Sequence, residues 1–152
     1  SKKGINQAFL TLHVGLGTFA PLTEENLKDN QLHEEFFHME ESEWKKVVQA
    51  QKERRSIVAV GSTVTRVLES IYKNHPQDSL SGSTKIFIKP PFEFGVVSTL
   101  ITNFHLPNSS LMCLVEAFLQ HKKSKLNIKQ LYKLAIKKKY RFYSFGDAML
   151  IL

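Results

Sequence analysis

Apolar positions along this chain switch repeatedly between a period of two and a period of three to four, and that switching sets the first expectation. Ala8 to Val14 alternates as a strand would, placing Thr11 and His13 on one face. Leu32 to Phe37 is a second short strand, carrying His33, Glu34 and Glu35. Ser42 opens a helix whose Trp44, Val47, Val48 and Gln51 fall at helical spacing, with Glu43 favourable in its first turn. Ser56 to Gly61 is continuously apolar, the pattern of a strand covered on both faces. Val64, Val67, Leu68 and Ile71 at i, i+3, i+4, i+7 predict an amphipathic helix after it.

The second half repeats the pattern. Asn74 to Thr84 reads as one long polar loop, Lys85 to Ile88 as a short strand and Val96 to Ile101 as another. Leu111 to Gln120 is an apolar, buried helix capped by Ser109 or Ser110, and Asn127 caps a last helix with Ile128, Leu131, Tyr132 and Ala135 on its core face. Strands alternating with helices predict an α/β fold with an at least partly parallel sheet.

Composition narrows the partners rather than the fold. A chain of 152 residues suits a single domain. No apolar run reaches the roughly 20 residues of a membrane-spanning helix, and the lysines near the amino terminus precede no apolar core, so no signal peptide and a cytoplasmic location are expected. The single cysteine, Cys113, lies in an apolar helix and reads as a packed thiol. A formal net charge of +7 favours an anionic partner, nucleic acid above all. Lys129, Lys133 and Lys137 line one side of the last helix at i, i+4, i+8.

Two stretches have the makings of a site. Val96 to Ile101 runs into Thr102, Asn103 and His105, then Pro107 and the serine cap: strand, polar turn and helix start in immediate succession. Gly61-Ser62-Thr63 stands likewise between a strand and a helix N-terminus, a geometry suited to an anion. Gly15-Leu16-Gly17-Thr18 is a glycine-punctuated loop able to bring backbone N–H groups to a ligand. Neither GxxxxGK[ST] nor GxGxxG occurs, so ATP and dinucleotide chemistry have no motif here.

Five strings stand in fixed order: Thr11-Leu12-His13-Val14-Gly15-Leu16-Gly17-Thr18-Phe19, His33-Glu34-Glu35, Ala59-Val60-Gly61-Ser62-Thr63, Thr102-Asn103-Phe104-His105-Leu106-Pro107, and Tyr140 to Met149 (YRFYSFGDAM). Together they resemble the S-adenosylmethionine:tRNA ribosyltransferase-isomerases of queuosine biosynthesis, along essentially the whole chain. Departures are Gly61-Ser62-Thr63-Val64-Thr65-Arg66 where the family pattern has Gly-Thr-Thr-Ser-Val-Arg, Pro91 for a usual glycine, and Glu34 where the family has serine. The resemblance is to the C-terminal half of those enzymes, without their first half and inserted β-barrel domain. It implies a single domain or part-domain of a layered α/β/α sandwich with a mixed sheet. It further implies transfer and isomerisation of the ribosyl moiety of S-adenosylmethionine onto 7-aminomethyl-7-deazaguanine at the wobble position of a tRNA. The product is epoxyqueuosine, with adenine and methionine released, no metal required, no membrane involved and a monomeric protein.

Such chemistry needs a base beside the sulfonium and groups that stabilise departing adenine. Within the matching strings, His13, His33, Glu35, His105 and Asp147 are the candidate proton carriers, with the choice of base open among them. Thr18, Ser62, Thr63, Arg66, Thr102, Asn103 and Arg141 are candidate substrate-binding residues, the arginines because a guanidinium fork suits phosphate or carboxylate. Lys129, Lys133 and Lys137 are the candidate tRNA contact. Two other readings stay open: a non-catalytic RNA-binding module, and a fragment that folds without activity.

Overall fold

The computed structural model of the chain describes residues 3–15, 22–74 and 80–152. Eleven elements are described: β1 (Thr11–His13), α1 (Glu24–Asp29), β2 (Gln31–His38), α2 (Glu41–Lys52), β3 (Val58–Val60), α3 (Ser62–Lys73), β4 (Ser81–Ile86), β5 (Thr99–Asn103), α4 (Ser110–His121), α5 (Ile128–Lys137) and β6 (Ala148–Ile151). The fold is mixed α/β, as the alternation predicted, and its strands divide into two three-stranded sheets.

The first sheet, ordered β1-β2-β4, is antiparallel throughout. The second, ordered β3-β5-β6, pairs β3 with β5 in parallel and β5 with β6 antiparallel. The parallel pair is joined through α3 and β4, the long crossover that parallel pairing demands.

Local sequence explains the helices well. Thr23 and Asn127 close capping boxes with Asn26 and Gln130, and the Ser109 hydroxyl accepts from Met112 N–H, so α1, α5 and α4 begin where their caps stand. The helix expected from Ser42 starts one residue earlier, with Glu40 as N-cap and no side-chain cap bond. Buried faces follow the predicted stripes: Trp44 and Val47 on α2, Val67, Leu68 and Ile71 on α3, Ile128, Tyr132 and Ala135 on α5. These join Phe94, Leu100, Leu114, Val115 and Phe118 in one continuous core.

Strands depart from the sequence pattern in three places, each for a non-local reason. Val96 and Val97 are buried but not in a strand, because β5 begins only at Thr99. The N–H groups of Gly95, Val96 and Val97 instead donate to the Glu69 carboxylate at 2.8, 3.0 and 2.9 Å. Ser81 to Thr84, expected as loop, form the start of β4, since β2 offers them a ladder from Thr84↔Glu35 to Ser81↔His38. Residues 75–79 of that loop lie outside the described residues.

The third departure is at β3. Ala59, Leu100 and Ile151 sit side by side on the core face, but Val58, Val60 and Leu150, on the other face, are 48%, 64% and 57% exposed. A strand read as covered on both faces is thus open on one among the described residues. A continuous apolar run records that a strand can be covered twice, not that a given chain supplies both covers.

Candidate functional site

Parallel strands β3 and β5 end together, and the chain leaves both toward a helix N-terminus. Gly61 follows β3 and is the N-cap of α3 at φ +106°, a conformation that favours glycine. Its N–H donates to Ile101 C=O at 2.8 Å, tying the two strand exits together. No side chain caps α3, so its first N–H groups, without intrahelical partners, remain as donors at the strand ends. Carboxyl ends of parallel strands beside helix N-termini are where α/β folds bind ligands.

A cleft of about 580 Å³ occupies this position. Gly61, Ser62 and Thr63 form one wall, Thr102 to Leu106 another, Ser109 and Leu111 of the α4 start a third, and Tyr143 and Ser144 the rim. It therefore brings together five of the candidate residues: Ser62, Thr63, Thr102, Asn103 and His105.

Thr102, Asn103 and His105 sit in a tightly defined turn. Thr102, buried, places Oγ1 2.8 Å from Nε2 of His105. The His105 N–H donates to the Tyr132 hydroxyl at 2.6 Å, so α5 holds the turn from behind. Burial pulls the His105 pKa down to about 4, so its imidazole is neutral at physiological pH and offers one donor and one acceptor nitrogen. Burial likewise raises the Tyr132 hydroxyl's pKa. Asn103 donates to Tyr143 C=O at 2.6 Å, and Tyr143 N–H returns a bond to Phe104 C=O at 2.9 Å. The carboxy-terminal loop is thereby stapled to the β5 exit. Phe104, which lines the cleft, stacks with Tyr140 and packs against Tyr132 and Phe142, none of which lines it.

Arg141 and Asp147 address each other rather than the cleft. Asp147 accepts from the Arg141 backbone N–H, from Nε at 3.1 Å and from Nη2 at 3.0 Å. The guanidinium fork, through hydrogen bonds first and charge second, holds the Asp147 carboxyl below its ordinary pKa, and Asp147 in turn raises that of Arg141. Gly146 lies against the fork at φ +107°; a Cβ there would come within 3.3 Å of Arg141 Nη2. The pair shapes the loop that carries Tyr143 and Ser144 to the rim.

The other candidates are placed apart. Glu35 and Arg66 form a buried salt bridge between β2 and α3, with Arg66 Nε and Nη2 left without hydrogen-bond partners among the described residues. A proton carrier and a substrate-binding candidate are thus joined to each other in the core. His13 lies opposite Phe36 in the β1–β2 ladder, while Leu12 lies opposite the buried Phe37; His13 therefore points to the exposed face of that sheet and Glu35 to the buried one. His33 is exposed, beside the register shift between Gln31 and Glu35. Lys129, Lys133 and Lys137 are exposed along α5. Thr18 lies outside the described residues. No group of His, Cys, Asp and Glu side chains able to hold a metal occurs among the described residues, and no helix there is long and apolar enough to cross a membrane. Cys113 is partly buried, and burial raises its thiol's pKa.

Sequence reasoning did not single out Glu69, the hydroxyl of Tyr132 or the main chain of Tyr143. Tyr132 was placed on the core face, where its hydroxyl's partner, a backbone N–H of the β5 exit, leaves no mark in the pattern. Tyr143 acts through its main chain, and Glu69 is a buried carboxylate on a face that otherwise reads as core.

A profile for a family described as queuosine biosynthesis protein matches residues 1–151. The chain belongs to that family. Among curated relatives, the S-adenosylmethionine:tRNA ribosyltransferase-isomerase of Psychrobacter cryohalolentis is 47% identical over 154 residues, covering 98% of this chain and 37% of the relative. That of Staphylococcus haemolyticus is 48% identical over 151 residues, covering 99% and 43%. The crystal structure of S-adenosylmethionine tRNA ribosyltransferase from Thermotoga maritima superposes with a TM-score of 0.74 at 39% identity, covering 99% of this chain and 46% of that one. The chain thus spans less than half the length of these queuosine-family relatives, and the mixed α/β fold expected from the resemblance is the one this neighbour shares.

Proposed function

We propose that this chain forms the C-terminal domain or part-domain of a queuosine-pathway ribosyltransferase-isomerase. The cleft at the β3 and β5 exits holds part of the substrate pair, S-adenosylmethionine and a tRNA bearing 7-aminomethyl-7-deazaguanine at its wobble position. The reaction is ribosyl transfer with isomerisation to epoxyqueuosine, releasing adenine and methionine.

The observation that carries this reading is the convergence of Ser62, Thr63, Thr102, Asn103 and His105 on one cleft, from two strings shared with the family. Uncapped N–H groups of α3 suit a carboxylate or a phosphate, and the lining rings of Phe104 and Tyr143 suit a purine or a methylthio chain. A neutral His105 can accept a proton at one ring nitrogen and donate a hydrogen bond from the other at physiological pH. Glu35 supports the reading less directly: engaged with Arg66 in the core, it fixes β2 against α3, whose first turn forms a wall of the cleft.

Single replacement of His13, His33, Glu35, His105 and Asp147 in a protein spanning the relatives' full length tests the assignment. Turnover is followed as label moving from the ribosyl group of S-adenosylmethionine into precursor-bearing tRNA. His105→Gln is expected to lower kcat by at least tenfold, on the scale of positioned acid–base groups. Full turnover in all five variants refutes the assignment. Neutralising Lys129, Lys133 and Lys137 together should lower the salt dependence of tRNA binding, and an unchanged slope removes that stripe as a contact.

A further inference from the structure

Away from the β3–β5 cleft, a concavity of about 460 Å³ opens where the end of α3 meets β4 and the segment following it. Three lysines reach it from three separate places: Lys73 in the last turn of α3, Lys85 on β4 and Lys89 beyond it. Asn30, Asn74 and Ser83 add neutral hydrogen-bonding groups, and among the described residues no Asp or Glu lines it.

Among the described residues this charge has no ion-pair partner, although Lys85 also borders a neighbouring concavity lined by Glu25, Asp29 and Glu34. Lys45, Lys46, Arg55, Arg66 and Arg141, by contrast, each have a carboxylate partner. Glu34 reaches the cleft lining indirectly, accepting from the Ser83 hydroxyl at 2.6 Å. Two of the lysines are positioned without being neutralised, Lys73 Nζ 3.7 Å from the centroid of the Phe92 ring and Lys89 Nζ 5.2 Å from that of Phe87. The negative end of the α3 dipole also lies here, but it amounts to about half a charge against three full ones.

We propose that this lysine-lined cleft binds the phosphodiester backbone of RNA, a contact surface distinct from the α5 stripe; the assignment rests on the tRNA reading above. Ammonium groups are point charges that hold successive phosphates without reading bases, and the amide and hydroxyl groups between them suit a 2′-hydroxyl. A single phosphorylated side chain brings at most about two negative charges to three cations, whereas successive phosphates can match all three, which favours a polyanion.

Fluorescence anisotropy of labelled tRNA titrated with this chain, from about 50 to about 200 mM salt, tests it. The triple variant Lys73→Gln/Lys85→Gln/Lys89→Gln should bind at least about tenfold more weakly at low salt, with the log–log salt slope reduced by about 2 to 3. Lys73→Arg/Lys85→Arg/Lys89→Arg keeps the charge and should retain the parent's slope, which separates electrostatic contact from loss of fold. A glutamine triple with the parent's affinity and slope overturns the cleft while leaving the tRNA reading intact. An arginine triple as weak as the glutamine triple also overturns it. Absence of any tRNA binding by the parent overturns both. Displacement of bound tRNA by a phosphoserine peptide but not by polyuridylate would transfer the cleft to a phosphoprotein partner.

Discussion

Acidification tests the construction of the β3–β5 cleft at one atom pair. His105 is half-buried with Nε2 2.8 Å from Thr102 Oγ1, and burial lowers its pKa from the ordinary 6.5 to about 4. In an unfolded chain the same imidazole protonates near 6.5, so between these two values the unfolded state binds more protons than the folded one. The stability this group allows is complete above pH 6.5 and is lost as pH falls through the window toward about 4. Linkage with these two values gives a loss of about 2 kcal/mol between pH 7 and pH 5, rising to about 3 kcal/mol at pH 4. Other groups titrate over the same range, so the quantity to measure is the difference between the parent and His105→Gln, whose amide reaches toward Thr102 but does not ionise. Urea midpoints at pH 7, 6 and 5 should show the parent losing about 2 kcal/mol more than the variant. The imidazole resonances of the folded parent should titrate near 4. A titration midpoint near 6.5, or the same acid sensitivity in parent and variant, would refute the burial of this ring and with it a neutral histidine at the site.

Two further outcomes follow from the hydrogen bonds that position the cleft. Glu69→Gln leaves one oxygen for three buried N–H donors and turns an NH₂ group toward them; a loss of roughly 2–4 kcal/mol in urea unfolding is expected, and a change under about 1 kcal/mol would mean the Gly95–Val97 turn does not depend on the carboxylate. Arg141→Gln removes the fork from Asp147, so the Asp147 carboxyl, followed by NMR, should titrate higher than in the parent, back toward 3.8; an unmoved midpoint would contradict the pairing.

Much of the candidate site was legible because its residues are adjacent in sequence. Thr102 and Asn103 end one strand with His105 just beyond it, Ser62 and Thr63 follow another, and both strings lead to a helix start, so their presence at a strand exit could be read directly. That the two exits share one cleft depends on β3 lying parallel to β5, with Val60 opposite Ile101, a pairing across about forty residues. Glu35 and Arg66 show the opposite limit. Each looked available for substrate, yet the fold places a strand and a helix so that the two charges meet in the core, where neither remains isolated.

By itself, the sequence determined the longer helices and their buried faces and the caps of α4 and α5, though not that of α2, together with the α/β class. Those features arise from contacts three or four residues apart and from the side-chain period of each segment. Only the tertiary structure decided that the strands divide into two sheets, that Ser81 to Thr84 become β-structure, and that Val96 and Val97 spend their N–H groups on Glu69. It also decided that one face of β3 stays open. Strand pairing and the satisfaction of buried polar groups join residues distant in sequence, and periodicity carries no record of which distant partner a segment will meet.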